Sequence, residues 1–236
     1  NDINQDGYVA VQDILLLLSE FGNTCEISGF QNCGDLIEHD GYDYSTVLIG
    51  DQCWFSENCR YLPVVSPSSA GSSSSSPYYY VYDYEGTDVE DAKATENYVT
   101  YGVLYNWPAV MTEGVCPTSW HIPSDAEWMT LEMYLGMSEY DANTEGYRGT
   151  DEGNQMKSTS GWANYGNGSN SSGLTALPGG LCRGDACFNK LEQSNFWSSS
   201  SQDGLAWMRD VVYDYSDVTR YNWDTSMGFS ARCIKD

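Results

Sequence analysis

The chain has 236 residues and carries 34 acids against 10 bases, a formal net charge of -24, with no Lys or Arg before Arg60. Phosphate contacts need clustered Lys and Arg, so nucleic acid is excluded as a partner, and an anionic membrane surface is disfavoured for the same reason. Hydrophobic residues at 41% suffice for a core, and no apolar run approaches the ~20 residues of a membrane span, so no membrane insertion is expected.

Residues 1–24 read as a loop followed by one helix. The chain starts without Met, and residue 1 is expected to be a mature or truncated start. Asp2 to Asp13 has the spacing of a twelve-residue calcium loop. Asp2, Asn4 and Asp6 supply side-chain oxygens at positions one, three and five, and Gly7 permits the sharp turn at six. Tyr8 offers its carbonyl at seven, and Asp13 closes the loop at twelve. Calcium needs six to eight hard oxygens, and this pattern supplies them, so Ca2+ is the expected cofactor. Ile14, Leu15, Leu17 and Leu18 give the following helix its apolar face, and Gly22 stops it. The unit resembles a dockerin half-motif, which also uses Asp at position twelve. Dockerins carry two such halves and this chain one, so the expected role is a structural calcium site. One loop and helix cannot bury those leucines unaided.

Residues 25–41 form a connector with Cys25 and Cys33. The main body, 42–236, alternates short strands with Gly-, Asn- and Ser-rich turns. Strands are expected over Tyr44–Ile49, Gln52–Phe55, Leu205–Tyr213 and Phe229–Ile234. A Ser/Pro/Gly tract at 66–77 interrupts the body. Such a tract is expected to be mobile unless neighbouring chains or glycans cover it. The aromatic run Tyr78–Tyr84 is expected to be a strand with one buried face. A short helix is a candidate over Asp88–Asn97. A clear one starts at Ser124, where Ser124 and Glu127 form a capping box and Trp128, Leu131 and Leu135 share one face up to Gly136. The reading is α+β, with long loops.

From residue 42 onward the chain is similar to the Fibrobacter succinogenes major paralogous domain, a bacterial secreted family. The matching stretches include Tyr44–Tyr61, Tyr101–Val110, Cys116–Gly136, Met156–Trp162, Ser172–Gly180, Phe196–Ser200, Ala206–Asp210 and Gly228–Asp236. The resemblance implies a C-type-lectin-like fold: an irregular twisted antiparallel sheet, one main helix and long loops, related to the formylglycine-generating group. The tract at 66–77 and the Cys182–Cys187 loop (CRGDAC) depart from the family pattern.

Eight Cys, two His and no CxxC pair favour disulfides over zinc and an oxidising, extracellular setting, secreted or at the cell surface. Local spacing suggests Cys25–Cys33, Cys53–Cys59 and Cys182–Cys187. Cys116 and Cys233 would then join across the chain, as the resemblance to lectin-like folds also implies. Asn167 and Asn170 head two glycosylation sequons. Arg183-Gly184-Asp185 matches an integrin tripeptide, a match common by chance. His39 and His121 are the only histidines, and His121 is expected to be structural. No nucleophile-elbow, P-loop or zinc-protease motif is present, Asp151 and Glu152 are expected to be solvated, and no catalytic residue is assigned. The lectin calcium triplets are absent, and Asn222-Trp223-Asp224 has similar letters in another order.

The leading expectation is therefore a non-enzymatic, self-assembling extracellular structural or adhesive subunit whose partners are copies of itself. The alternative is a monomeric lectin-like ligand- or glycan-binding module of a larger secreted protein, in which any carbohydrate contact rests on exposed aromatics. An enzyme of formylglycine-generating type is disfavoured.

Overall fold

The computed structural model describes residues 30–236. The expected calcium loop (Asp2, Asn4, Asp6, Tyr8, Asp13), the helix expected after it and Cys25 lie outside the described residues. In chain order the strands are β1 Leu36–His39, β2 Tyr42–Ile49, β3 Gln52–Phe55, β4 Tyr79–Tyr80, β5 Leu104–Tyr105, β6 Trp120–His121 and β7 Gly146–Arg148. They continue as β8 Leu181–Arg183, β9 Ala186–Phe188, β10 Gln193–Gln202, β11 Leu205–Val212, β12 Val218–Asp224 and β13 Ile234–Lys235. The helices are α1 Val89–Lys93, α2 Glu96–Tyr101, α3 Trp107–Val110, α4 Asp125–Tyr134, α5 Glu139–Ala142 and α6 Glu152–Met156. A five-stranded sheet has the order β1-β2-β3-β13-β6 and a four-stranded sheet the order β10-β11-β12-β7, with β4-β5 and β8-β9 as small pairs. Every pairing between named strands is antiparallel. The fold is α+β.

Local chemistry explains the main elements. Gly50 takes a φ of 63° and closes the β2–β3 hairpin, because a residue with a Cβ is strained there. Both halves of the α4 capping box are formed: Glu127 N–H donates to Ser124 Oγ, and Ser124 N–H donates to Glu127 Oε2. Trp128 and Leu131 on α4 are fully buried, and Trp128 meets Trp54 at 4.7 Å and Phe196 at 5.6 Å between ring centroids.

Three local expectations need correction. The stretch Asp88–Asn97 holds parts of two helices, because Asp88 caps one and Thr95, in an extended conformation, caps the next. Phe229–Ile234 is strand only at its end. Its backbone bonds to Tyr105, Asn195, Cys59 and Phe55 in turn, so it threads between sheets rather than following one ladder. In the Tyr run only Tyr79–Tyr80 pair as strand, and Tyr79, Tyr80 and Val81 are buried consecutively, so both faces are covered.

The Ser/Pro/Gly tract is held by its own chain. Asn106 Nδ2 donates to Ser73 O and Ser76 O, Tyr80 Oη donates to Gly71 O, and Ser69 N–H donates to Glu85. Order in this tract therefore needs neither a neighbouring chain nor a glycan.

Between α4 and the four-stranded sheet lies a buried ionic layer. Glu132 receives Arg209 at 2.6 Å and Arg148 at 2.7 Å, and Asp125 receives Arg209 at 2.8 Å and Arg220 at 2.6 Å. Arg60, Lys157 and Arg232 are also buried, so six of the ten bases are withdrawn from the surface and the outside is almost purely acidic.

Disulfides join Cys33 to Cys53, Cys116 to Cys233 and Cys182 to Cys187. The expected Cys25–Cys33 and Cys53–Cys59 links are thus replaced by Cys33–Cys53. Cys53 lies in β3, and Cys33 stands just before β1 in the same sheet, which brings them together. Cys59 keeps a free thiol among the described residues.

Candidate functional site

The four-stranded sheet has two unlike faces. Alternation along β10, β11 and β12 sends Phe196, Arg209, Val211, Val218 and Arg220 towards α4. The other face carries a cross-strand row set by register: Asn195 opposite Asp210, Asp210 opposite Thr219, Thr219 opposite Tyr147. The next row holds Trp197, Met208 and Tyr221, and Trp223 follows two residues further along β12. A cavity of about 410 Å3 stands over this face. The β8–β9 hairpin, stapled by Cys182–Cys187, forms one wall through Leu181, Arg183 and Phe188.

Two polar groups at the base of the cavity lack partners. Asn195 is 2% exposed and its Nδ2 has no acceptor, while Asp210 Oδ1 is sealed from solvent and receives no donor. Asp210 is partly exposed as a whole residue, yet that oxygen is not. Burial, helped by the nearby Asp217 charge, pushes the Asp210 carboxyl up to about 7. Leaving a buried polar group unpaired costs about 1–3 kcal/mol. A donor and an acceptor on directly paired residues, ~5 Å apart at Cβ, are matched to a group that accepts from one and donates to the other. A hydroxyl does both. Along the same cavity Tyr147 is 60% exposed and Trp223 41% exposed. Trp223 stands edge-on to Tyr221, with ring centroids 6.3 Å apart.

A larger, open cavity of about 1060 Å3 borders His39, Cys116, Trp120 and His121. Its histidines are already engaged. His39 Nε2 donates to Gly114 O at 2.7 Å, and His121 bridges Asp236 at 2.6 Å and Glu127 at 2.9 Å. Burial opposes charging His121, but the two carboxylates outweigh it and raise its pKa. Both ring nitrogens of His121 are therefore engaged, whereas His39 is held through Nε2 alone.

The other predicted residues are scattered. Asn167 is exposed, whereas Asn170 Nδ2 donates to Thr175 Oγ1 and its Oδ1 accepts from Thr175 N–H. Asp151 is exposed, but Glu152 is 2% exposed and accepts from the Thr150 and Asp151 N–H groups, which corrects its expected solvation. Asn222 and Trp223 point to opposite faces of β12, and Asp224 accepts from Ser226 N–H in a turn, so these three do not converge. Among the described residues no group of three or more His, Cys, Asp or Glu is placed to hold a metal ion. No helix among them is long and apolar enough to cross a membrane.

Sequence reasoning missed Asn195, Asp210 and Thr219. The available signal was a polar residue on the same parity of three neighbouring strands, and it becomes readable only once register is known.

Residues 47–235 match the family model of the Fibrobacter succinogenes major domain. No curated protein and no solved structure matches the chain.

Proposed function

The chain belongs to the Fibrobacter succinogenes major domain family, and we propose that it is a secreted ligand-binding module whose site takes a polyhydroxylated, carbohydrate-like ligand on the open face of the four-stranded sheet. The observation that carries this reading is the orphaned pair of Asn195 Nδ2 and Asp210 Oδ1 on a cavity also lined by exposed Trp223 and Tyr147. Once the Asn195 and Asp210 side chains turn towards the cavity, a hydroxyl of one sugar unit pairs with both, and the C–H face of another unit of the same oligosaccharide packs on the indole, which lies four residues along β12 from Thr219. Irregular antiparallel sheets, one long helix and the Cys116–Cys233 closure support a C-type-lectin-like reading of the fold. Three disulfides fit an oxidising compartment outside the cytosol. The site as proposed involves no bond-making step, and we assign no catalytic residue to it.

Calorimetric titration with a panel of soluble oligo- and polysaccharides tests the proposal. Saturable binding that weakens about tenfold, ~1.4 kcal/mol, in Trp223→Ala and in Asn195→Ala is the expected result. Binding unchanged by both substitutions, or absent across the panel, sinks it.

A second reading, the self-assembling calcium-dependent subunit, draws support from β1, an edge strand of the five-stranded sheet among the described residues, with Leu36 54% exposed. Sedimentation in millimolar calcium distinguishes it, because a strictly monomeric particle rules it out.

A further inference from the structure

Three sulfur atoms meet in the core between the five-stranded sheet and the segment before β6. Cys59 Sγ lies 3.5 Å from Cys233 Sγ, which is bonded to Cys116. Cys59 and Cys233 are fully buried, whereas Cys116 is partly exposed and borders the cavity of about 1060 Å3. The neighbouring cation is unusual. Arg232 is fully buried, and its guanidinium donates only to neutral oxygens, of Asn58, Phe55, Leu174 and Thr175. No carboxylate forms an ion pair with it among the described residues, and its charge acts on Cys59. A guanidinium beside a thiol favours the thiolate, which is the attacking species in disulfide exchange.

We propose that Cys59, Cys233 and Cys116 form an internal thiol–disulfide relay that delivers a reactive thiol at Cys116 into this cavity, where it takes up a small disulfide. The Cys59 thiolate attacks Cys233 Sγ. The Cys59–Cys233 bond forms, the Cys233–Cys116 bond breaks, and Cys116 leaves with the electron pair. The proton lost from Cys59 is balanced by one gained at Cys116. The step is an isomerisation and needs no external oxidant. Cys116, as its thiolate, then attacks a low-molecular-weight disulfide and forms a mixed disulfide, and the small thiolate it expels takes up the proton released from Cys116. Burial pushes the Cys59 thiol up to about 12, so its thiolate is rare at neutral pH, though strongly nucleophilic when formed. The Cys116–Cys233 isomer is therefore the resting form and exchange is slow. The relay is independent of the sugar-binding reading, because it lies on other residues and another cavity.

The test incubates the full folded chain with oxidised glutathione, alkylates and maps the peptides without reduction. The expected product carries glutathione on Cys116 together with a Cys59–Cys233 bond, and Cys59→Ser loses the adduct. A Cys116 adduct formed equally in Cys59→Ser, no adduct in the wild type, or a Cys59–Cys25 bond overturns the relay. Cys116→Ser guards against misfolding of the first variant. In oxidising buffer it should yield Cys59–Cys233, and recovery of both as thiols also overturns the proposal.

Discussion

Glu132 on α4 and Arg209 on β11 meet at 2.6 Å, and neither side chain is exposed. Asp125, seven residues before Glu132 on the same helix, binds Arg209 and Arg220. A buried pair repays its desolvation only while both partners are present. Glu132→Ala leaves Arg148 and Arg209 facing each other without their shared carboxylate. It is expected to cost about 3–5 kcal/mol, measured as a lower denaturant midpoint at unchanged slope. A loss under 1 kcal/mol would show that the layer is hydrated.

Asp210 sets a pH dependence. Its folded pKa is raised from 3.8 to about 7, so the fold binds this proton more tightly than the unfolded chain does. The associated stability is fully present below about 4 and is lost as the pH rises towards 7. Asp210→Asn keeps the neutral state throughout. Its melting temperature should therefore fall less than that of the wild type between pH 4 and 7. Parallel profiles for the two proteins would contradict the assignment.

Gly180 controls the hairpin wall. It takes a φ of +71°, and an added Cβ would stand 2.3 Å from Phe188 O. Gly180→Ala must shift backbone, not a flexible side chain, and should destabilise by about 1–3 kcal/mol while displacing Phe188 from the sheet. Because the hairpin lines the proposed site, ligand affinity should fall with it. A variant with wild-type melting and wild-type affinity would refute the wall's role.

Calcium gives a test of residues 1–24. If Asp2, Asn4, Asp6, Tyr8 and Asp13 hold the ion, a hundredfold excess of calcium over Kd stabilises the protein by about 2.7 kcal/mol. Chelation should lower the melting temperature and Asp6→Ala should abolish that response. An identical melt with and without chelator removes the metal from the account.

The extent to which these features could be read from sequence follows the range of the interactions behind them. Hairpin β2–β3, with its turn at Gly50, and the capped helix at Ser124 depend on residues a few positions apart, so spacing alone located them. Composition likewise marked an acidic, disulfide-bonded chain with a core. Tertiary structure decided what depends on distant partners. It paired Cys33 with Cys53 and withdrew six of the ten bases into the core. It also set Asn195 against Asp210 across β10 and β11. A shift of one residue in that register would turn Asp210 into the helix-facing layer and Arg209 out towards the cavity. Side-chain parity along a strand is written in the sequence, but which parity faces the cavity is fixed only when the strands pair.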